Sequence, residues 1–166
     1  MAKHMYYVIF VDDFSCNCWI FFMYNKDQMF AKFCEFKALV EKDTRRKVKV
    51  LRSDNSGEYM SNEFKNFCAL EGIWRELIAP HNPKYNGVVQ RKNRSIVGVA
   101  RVMLHDEGLP LHLWVEACNT IVYFQSKSPH RILGMNIPEE NVLGKKPNVS
   151  HFRIFGSSIY VMFPRM

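Results

Sequence analysis

Two short apolar runs open the chain, and both have the composition of β-strands. Tyr6–Val11 is rich in aromatic and β-branched residues, and Trp19–Tyr24 has the same character. Between them, Asp12–Ser15 supplies residues that favour a turn. The pattern therefore predicts a β-hairpin.

Downstream, the spacing of apolar residues alternates between helical and extended. From Lys26 to Lys42, apolar residues recur at helical intervals and form a stripe on one face. Ser61 is a suitable N-cap and Gly72 a suitable stop signal for a second helix. The elements predicted after the first helix are a strand at Val48–Leu51, a helix at Asn62–Glu71 and a strand at Ile73–Ile78.

The second half of the chain is predicted to be mainly helical. Ala79–Gly87 contains two prolines, two asparagines and a glycine, which indicates a loop. Long amphipathic spacing predicts a helix at Val88–His105, and another is predicted at Leu113–Gln125. The residues of the long helix expected to face the core are Val89, Ile96, Val97, Ala100, Met103 and Leu104. The tail, Pro138 to Met166, is predicted to be irregular, with a strand at Ile159–Met162.

The order of these elements, ββ-α-β-α-β-α-α, indicates a mixed α/β fold in which helices cover a central sheet. We expect Tyr6–Val11, Trp19–Tyr24 and Val48–Leu51 to be central in that sheet. Residues 1–166 are interpreted as one domain, because the sequence shows no repeat, low-complexity segment or linker. Within it, residues 138–166 form a C-terminal extension.

Charge and cysteine content narrow the classes of partner and compartment. The formal net charge of +7 favours a polyanionic partner, although a modest excess is weak evidence on its own. The five cysteines include no C-x-x-C pair, so they are expected to be reduced and packed in the core rather than bound to zinc. No apolar run is long enough for a membrane span, and no signal peptide is evident. We therefore expect an intracellular protein without a membrane partner.

Candidate chemistry lies at the end of one predicted strand and the start of the long helix. Asp54 follows the third strand, and the carboxyl ends of strands are where α/β proteins gather ligand and metal sites. Taken alone, Asp54 next to Asn55 and Gly57 could equally be a turn residue. Gln90 lies in the first turns of the long basic helix, where it could be an ordinary surface residue.

Four ordered segments resemble the integrases of Copia-type retrotransposons, within the retroviral integrase superfamily. Leu51–Tyr59 resembles their L-R-S-D-N-G-G-E-Y segment, and Asn86–Arg94 resembles N-G-V-A-E-R-K-N-R. Tyr6–Ser15 is similar to Y-F-V-x-F-I-D-D-F-S, and Gly144–Gly156 contains the G-K-K-P and F-G pairs of their C-terminal pattern. The likeness runs from Tyr6 to about Tyr160, nearly the whole chain.

The resemblance implies an RNase H-like fold whose three acidic residues hold two Mg²⁺ or Mn²⁺ ions. In phosphodiester transfer such ions activate the attacking oxygen and stabilise the leaving oxygen. Asp54 matches the second acid of the family, and Gln90 occupies the position of the third, a Glu. The implied partner is DNA, contacted through its backbone, and a functional integrase is expected in the nucleus.

This sequence departs from the family at the residues that matter for catalysis. An amide at position 90 carries no charge and cannot bridge two ions as a carboxylate does. The first acid lies on a family strand before Tyr6, and Met1–Met5 contain no acid. Smaller departures are Ser56 for Gly, Cys16 for Arg, and Pro138–Val142 in place of an aromatic-rich segment. The hypothesis is a decayed or truncated copy that cannot perform strand transfer.

Several polar residues around the candidate site could contact DNA. Three cations follow the loop, Arg91, Lys92 and Arg94, and their placement favours phosphate contact. The alternative is a solvated helix face without a ligand. In the loop, Lys84, Tyr85 and Asn86 could reach DNA or simply be surface residues. Arg45–Lys47 with Lys49 is a further basic cluster, best interpreted as cations at a helix C-terminus.

Three alternatives to a catalytic integrase core remain open from the sequence. The chain could be a non-catalytic nucleic-acid-binding module derived from an integrase. It could also be a protein-interaction piece that forms homodimers. The last alternative is that the chain does not fold stably, because the absence of a first strand would leave a sheet edge exposed.

Overall fold

The computed structural model describes residues 6–54, 57–78 and 83–157, with the side chains of residues 83–86 outside the description. The strands in these residues are β1 (Tyr6–Val11), β2 (Cys18–Met23), β3 (Val50–Ser53) and β4 (Trp74–Leu77). The α-helices are α1 (Met29–Thr44), α2 (Asn62–Leu70), α3 (Pro83–Asp106), α4 (Trp114–Ser126) and α5 (Pro138–Leu143). The mixed α/β class predicted from the sequence is confirmed.

The predicted single central sheet is wrong for the described residues, where the strands form two separate two-stranded sheets. β1 and β2 pair antiparallel, with Tyr6 opposite Met23 and Val11 opposite Cys18. β3 and β4 pair parallel, with Val50 opposite Trp74. No ladder joins β1 to β3 among the described residues.

The turn of the β1–β2 hairpin contains a G1-type β-bulge, in which Cys16 takes the position usually held by glycine. Asp12 N–H donates to the Asn17 carbonyl at 2.9 Å, and Cys16 N–H donates to the Asp12 carbonyl at 2.9 Å. Cys16 has φ of 56°, the left-handed conformation that such a bulge requires at this position. The Asp12 carboxylate accepts from both the N–H and the hydroxyl of Ser15, which fixes the turn from inside.

The hairpin separates two cores of different composition. On one side, α1 and α2 pack an aromatic core in which Phe10 stacks on Phe36 with ring centroids 4.2 Å apart and Phe33 on Phe64 at 5.0 Å. On the other side, α3 and α4 pack an aliphatic core of smaller side chains. The buried members of that second core are Cys18, Ile96, Ala100, Leu104, Ala117, Cys118, Ile121 and Val122.

Several predicted boundaries changed for identifiable reasons. Ser61 caps α2 as expected, accepting from Phe64 N–H at 3.2 Å, and Gly72 follows it with φ of 68°. The predicted loop at 79–87 is wrong from Pro83 onward, because proline suits the first turn of a helix and α3 begins there. The irregular tail is also corrected, since Pro138 opens α5 and Gly144 ends it at φ of 70°. The strand predicted at Ile159–Met162 lies outside the described residues.

The predicted core face of α3 is buried except near the start of the helix. Ile96, Ala100 and Leu104 are buried as expected, but Val89 is 40% exposed. On β4, Trp74 is 72% exposed. In the described part of the chain no helix has the length and apolarity to cross a membrane.

Candidate functional site

Asp54 directly follows β3, at the end of the strand where the sequence places it. The parallel pairing with β4 defines this end, because Ile78 N–H donates to the Ser53 carbonyl at 2.9 Å. Ser53 is buried, whereas Asp54 is exposed. The carboxylate thus lies at the carboxyl edge of the small parallel sheet, the usual location of sites in α/β proteins.

The charge of Asp54 acts on the phenol of Tyr59. Burial of the phenol raises the pKa of Tyr59, and the carboxylates of Asp54 and Glu58 raise it further. The Tyr59 hydroxyl therefore stays protonated in the neutral range and can donate a hydrogen bond. Sequence reasoning quoted Tyr59 only as part of a motif, although its place five residues after the acid was a usable signal.

Next to this edge, Arg52 forms ion pairs with a residue of each sheet region. Its Nη1 lies 2.6 Å from Asp13 Oδ2 in the hairpin turn, and its Nη2 lies 3.1 Å from Glu76 Oε2 on β4. The hydrogen bond to Glu76 and the charge of Asp13 raise the pKa of the guanidinium. Asp13, in the turn between β1 and β2, accordingly has a structural contact.

The start of α3 shares a cleft with Asp54. Val88 and Val89, the two residues before Gln90, line the same cleft as Asp54 and Tyr59. Gln90 itself is exposed on the first turns of α3. The two residues before position 90 therefore border the same cleft as Asp54.

The predicted DNA-contacting residues divide into three groups. Arg91 and Arg94 are exposed on one face of α3, as a phosphate contact requires. The side chains of Lys84, Tyr85 and Asn86 lie outside the described residues, and their backbone forms the first turn of α3. Lys92 is half-buried and faces the hairpin.

Lys92 has protein partners that the sequence did not suggest. Burial raises the pKa of the Cys18 thiol, while the charge of Lys92 and its hydrogen bond to that thiol act in the opposite direction. The same ammonium contributes, after burial, to lowering the pKa of His130. Helical spacing contained the signal, because Lys92 is four residues before the buried Ile96 and eight before the buried Ala100.

The donor set for divalent cations is small. Two ions need several carboxylates, because hard cations require anionic oxygen ligands. In residues 6–54, 57–78 and 83–157, no group of three His, Cys, Asp or Glu side chains is placed to hold a metal ion. The described residues therefore do not fit a two-ion centre.

Comparisons with known proteins identify what the chain is similar to. It is 42% identical over 165 residues to a retrovirus-related Pol polyprotein from transposon TNT 1-94 of Nicotiana tabacum, a match that covers 99% of this chain and 12% of the relative. It is 32% and 31% identical over 158 residues to the corresponding polyproteins from transposons RE2 and RE1 of Arabidopsis thaliana. The chain thus spans about an eighth of the first relative's length. No family model matches.

Two solved structures share the fold. One is the cryo-EM structure of a simian T-cell lymphotropic virus intasome in complex with PP2A regulatory subunit B56 gamma. Its TM-score is 0.68 at 17% identity, and the match covers 96% of this chain and 54% of that one. The other is the HTLV-2 integrase catalytic core domain in complex with magnesium, in a trimeric form, with a TM-score of 0.61 at 17% identity and coverage of 81% and 82%.

Proposed function

Since this chain is homologous to a segment of the Pol polyproteins of plant Ty1/copia-type transposons and has the fold of retroviral integrase catalytic cores, we propose that it is a DNA-binding integrase core with impaired strand transfer. The proposal is supported by this fold together with the neutral side chain at position 90, where the resemblance implies a Glu. Asp54 lies at the expected strand end and beside the first turns of α3. Gln90 occupies the position where the family has a carboxylate.

In this proposal Asp54 is the surviving metal-site residue, and Gln90 is the altered one. The related HTLV-2 core was solved with magnesium, and oxygen ligands of this kind suit Mg²⁺ or Mn²⁺. A neutral amide at position 90 in place of a carboxylate leaves more of the charge of two such ions uncompensated. We therefore expect weak or absent metal binding and derive no catalytic step from it.

The function that remains is binding of the DNA backbone. Arg91 and Arg94 are exposed on the same face of α3, in the turns that contain and follow Gln90. Cations in such positions contact phosphates and give affinity without sequence preference. Lys92 contributes less to this surface, because its ammonium is engaged with Cys18. If the domain acts on chromosomal DNA, that substrate is nuclear.

The catalytic half of the proposal is tested with an end-labelled DNA duplex and Mg²⁺ or Mn²⁺. We expect no metal-dependent cleavage or joining by the chain. The matched variants are Gln90→Glu, which supplies the missing carboxylate, and Asp54→Asn, which removes the remaining one. Robust activity of the unmodified chain that Asp54→Asn abolishes would overturn the proposed impairment.

The binding half is tested by salt titration of DNA affinity in the presence of a chelator. Removing one cation that binds a phosphate should reduce the slope of log affinity against log salt by about 0.9. Arg91→Ala with Arg94→Ala should therefore reduce it by roughly twice that amount. Arg131→Ala is the control, because Arg131 is exposed but lies on the segment after α4. An unchanged slope in the α3 variant would place the DNA surface elsewhere.

Self-association is a second candidate function, favoured by exposed apolar side chains on the helical half. Phe124 is 51% exposed, Ile132 77% and Ile154 75%, and solvent-facing residues of this size are frequent at interfaces. Light scattering over a range of concentrations measures this directly. A strict monomer at high concentration would exclude it.

A further inference from the structure

A basic segment joins α1 to β3 at the end of the parallel sheet that lies opposite to Asp54. Its exposed cations are Arg45, Arg46, Lys47 and Lys49. Lys47 Nζ lies 3.4 Å from Glu41 Oε2, whereas the other three cations form no ion pair with any residue that the structure describes. Positive charge is therefore available on this surface for a ligand.

The end of α1 accounts for only part of this charge. α1 ends at Thr44, and Arg45 is its C-cap in the left-handed conformation. The favourable interaction of a cation with the helix dipole falls off within the last turn of a helix. Arg46 and Lys49 lie beyond that turn, so the helix end explains Arg45 but not these two residues.

Trp74 exposes its indole beside this segment. The Trp74 N–H donates to the Lys49 carbonyl at 2.8 Å, so the two residues are neighbours where β3 and β4 begin. The preceding residue, Ile73, is buried, and its N–H donates to the Cys68 carbonyl at 2.8 Å. The backbone is thus fixed at this point while Trp74 is 72% exposed. Because tryptophan is enriched at interfaces, a rigidly held and exposed indole indicates a surface that meets a ligand.

Exposed cations next to an exposed indole suit a single-stranded nucleic acid better than other polyanions. Cations contact phosphates in any nucleic acid, and an aromatic ring stacks on a base whose face is free. In a duplex the bases are stacked on each other, so the ring of Trp74 has no base face to meet. An acidic peptide would pair with the cations but has no need of a flat aromatic surface.

We propose that Arg45, Arg46, Lys49 and Trp74 form a surface, here called the Trp74 surface, that binds single-stranded DNA or RNA. One base stacks on Trp74, and the cations contact the phosphates on either side of it. A strand rises about 3.3 Å per residue, so Lys49 lies roughly 16 Å from Asp54. The Trp74 surface is therefore a second site, and it does not depend on the duplex contact proposed for α3.

The stacking half of the proposal is tested with labelled oligothymidine and oligouridine of about ten nucleotides, within the site sizes of single-strand binders. Fluorescence anisotropy in the presence of a chelator measures the affinity. Trp74→Ala should weaken binding roughly five- to a hundredfold, the effect of losing one base–aromatic stack. Phe14→Ala is the matched control, because Phe14 is 74% exposed but lies in the β1–β2 turn, and it should leave the affinity unchanged.

A spectroscopic signature distinguishes stacking from a general loss of affinity. Binding of the oligonucleotide should quench the tryptophan fluorescence of the unmodified chain. Trp74→Phe keeps a ring on which a base can stack, so it should retain most of the affinity while most of the quenching is lost. Preference for oligothymidine or for oligouridine identifies the sugar, and binding of either one supports the proposal.

The cations are tested by the salt dependence of single-strand binding. Each phosphate contact contributes about 0.7 to the slope of log affinity against log salt for a single strand. Arg46→Ala with Lys49→Ala should therefore reduce the slope by roughly 1.4. Lys145→Ala with Lys146→Ala is the matched control, because these two cations are also exposed but follow α5, and it should leave the slope unchanged.

Three outcomes would overturn the proposal. One is that Trp74→Ala binds oligonucleotides as tightly as the unmodified chain. Another is that an oligoglutamate peptide competes as well as the oligonucleotides and responds to the loss of Arg46 and Lys49 but not of Trp74, which would assign the cations to an acidic protein. The third is that Arg91→Ala with Arg94→Ala removes single-strand binding, which would place that strand on α3.

The same α3 variant separates this proposal from the proposed function. It should weaken duplex binding and leave single-strand binding unchanged, whereas the Trp74 and Arg46 variants should do the reverse. Circular dichroism checks that each variant is folded. If Trp74→Ala fails to fold, the quenching of Trp74→Phe and the slope of the Arg46 and Lys49 variant decide.

Discussion

The charged groups beneath α1 and those at the Asp54 edge are arranged in opposite ways. Lys37 is 8% exposed, and its Nζ lies 2.9 Å from both Glu41 Oε2 and Glu71 Oε2. Glu41 also accepts from Val48 N–H at 2.9 Å and lies 3.4 Å from Lys47 Nζ. Asp54 and Gln90, in contrast, are exposed.

The contrast teaches that the ion pairs of Lys37 stabilise the fold, whereas the exposed residues Asp54 and Gln90, where chemistry was expected, do not. A buried ion is tolerated only when paired, so the network beneath α1 must persist for the fold to persist. An exposed acid at a strand end can change or lose its partners with little effect on folding. A chain can therefore keep its fold while the exposed residues at a strand end vary.

The largest effect is expected from Lys37→Met, which leaves two carboxylates without their shared cation. Breaking a buried pair costs 3–5 kcal/mol in general, and about 2–3 kcal/mol is expected here because Glu71 is 36% exposed. Urea unfolding followed by circular dichroism measures this loss. Lys32→Met is the control, because Lys32 pairs with the more exposed Glu35 and should change the free energy of unfolding by less than about 0.5 kcal/mol. Equal losses in the two variants would contradict the contrast.

The next largest effect is the contribution of Glu41 to the pH dependence of the free energy of unfolding. Burial alone would raise the pKa of Glu41, but hydrogen bonds from Lys37 and from Val48 N–H outweigh it and lower that pKa below 4.5. A group with a lowered folded pKa stabilises the protein above its unfolded pKa, and this stabilisation is lost as pH falls through the folded pKa. Glu41→Gln should cost about 1–2 kcal/mol at pH 7, a range expected for charged hydrogen bonds.

The difference between Glu41→Gln and the unmodified chain should shrink as pH falls below about 4.5. Unfolding free energies measured at several pH values between 7 and 3 show whether it does. Lys37 affects stability at the alkaline end of the pH range, because its hydrogen bonds to Glu41 and Glu71 raise its pKa above 10.5. Its contribution is present below that pH and is lost only as pH rises through the folded pKa. A pH-independent difference for Glu41→Gln would contradict the assignment.

Sequence reasoning recovered the elements whose signals are local. Tyr6–Val11 was predicted with its observed bounds, and Ser61 caps α2 as expected, because apolar composition and capping chemistry act over a few residues. The fold class followed from the order of elements and from the family resemblance. Pro83 was misinterpreted because proline is typical both of loops and of the first turn of a helix.

Contacts between distant segments could not be predicted in the same way. The split of the strands into two sheets depends on which edges pair across the fold, and a strand's sequence does not encode its neighbour. The position of Lys92 depends on the hairpin that lies against α3, so its charge suggested DNA while its location provides Cys18 as a partner. Asp54 was placed correctly at a strand end, whereas the metal and DNA roles of Asp54, Gln90 and their neighbours stay predictions.

The smallest expected effect concerns the charge of Asp54 at its own edge. Burial is the main reason that the pKa of Tyr59 is raised, and the Asp54 carboxylate adds to it. Asp54→Asn should therefore lower the pKa of Tyr59 while burial still keeps it above the ordinary value near 10. Titration of ¹³C-labelled tyrosine rings followed by NMR separates Tyr59 from the other six tyrosines and measures this, with Glu58→Gln as the matched removal of the second contributing carboxylate. If Asp54→Asn left the Tyr59 titration unchanged while Glu58→Gln moved it, the carboxylate would be directed away from the cleft, and the shared site proposed for Asp54 and α3 would lose its support.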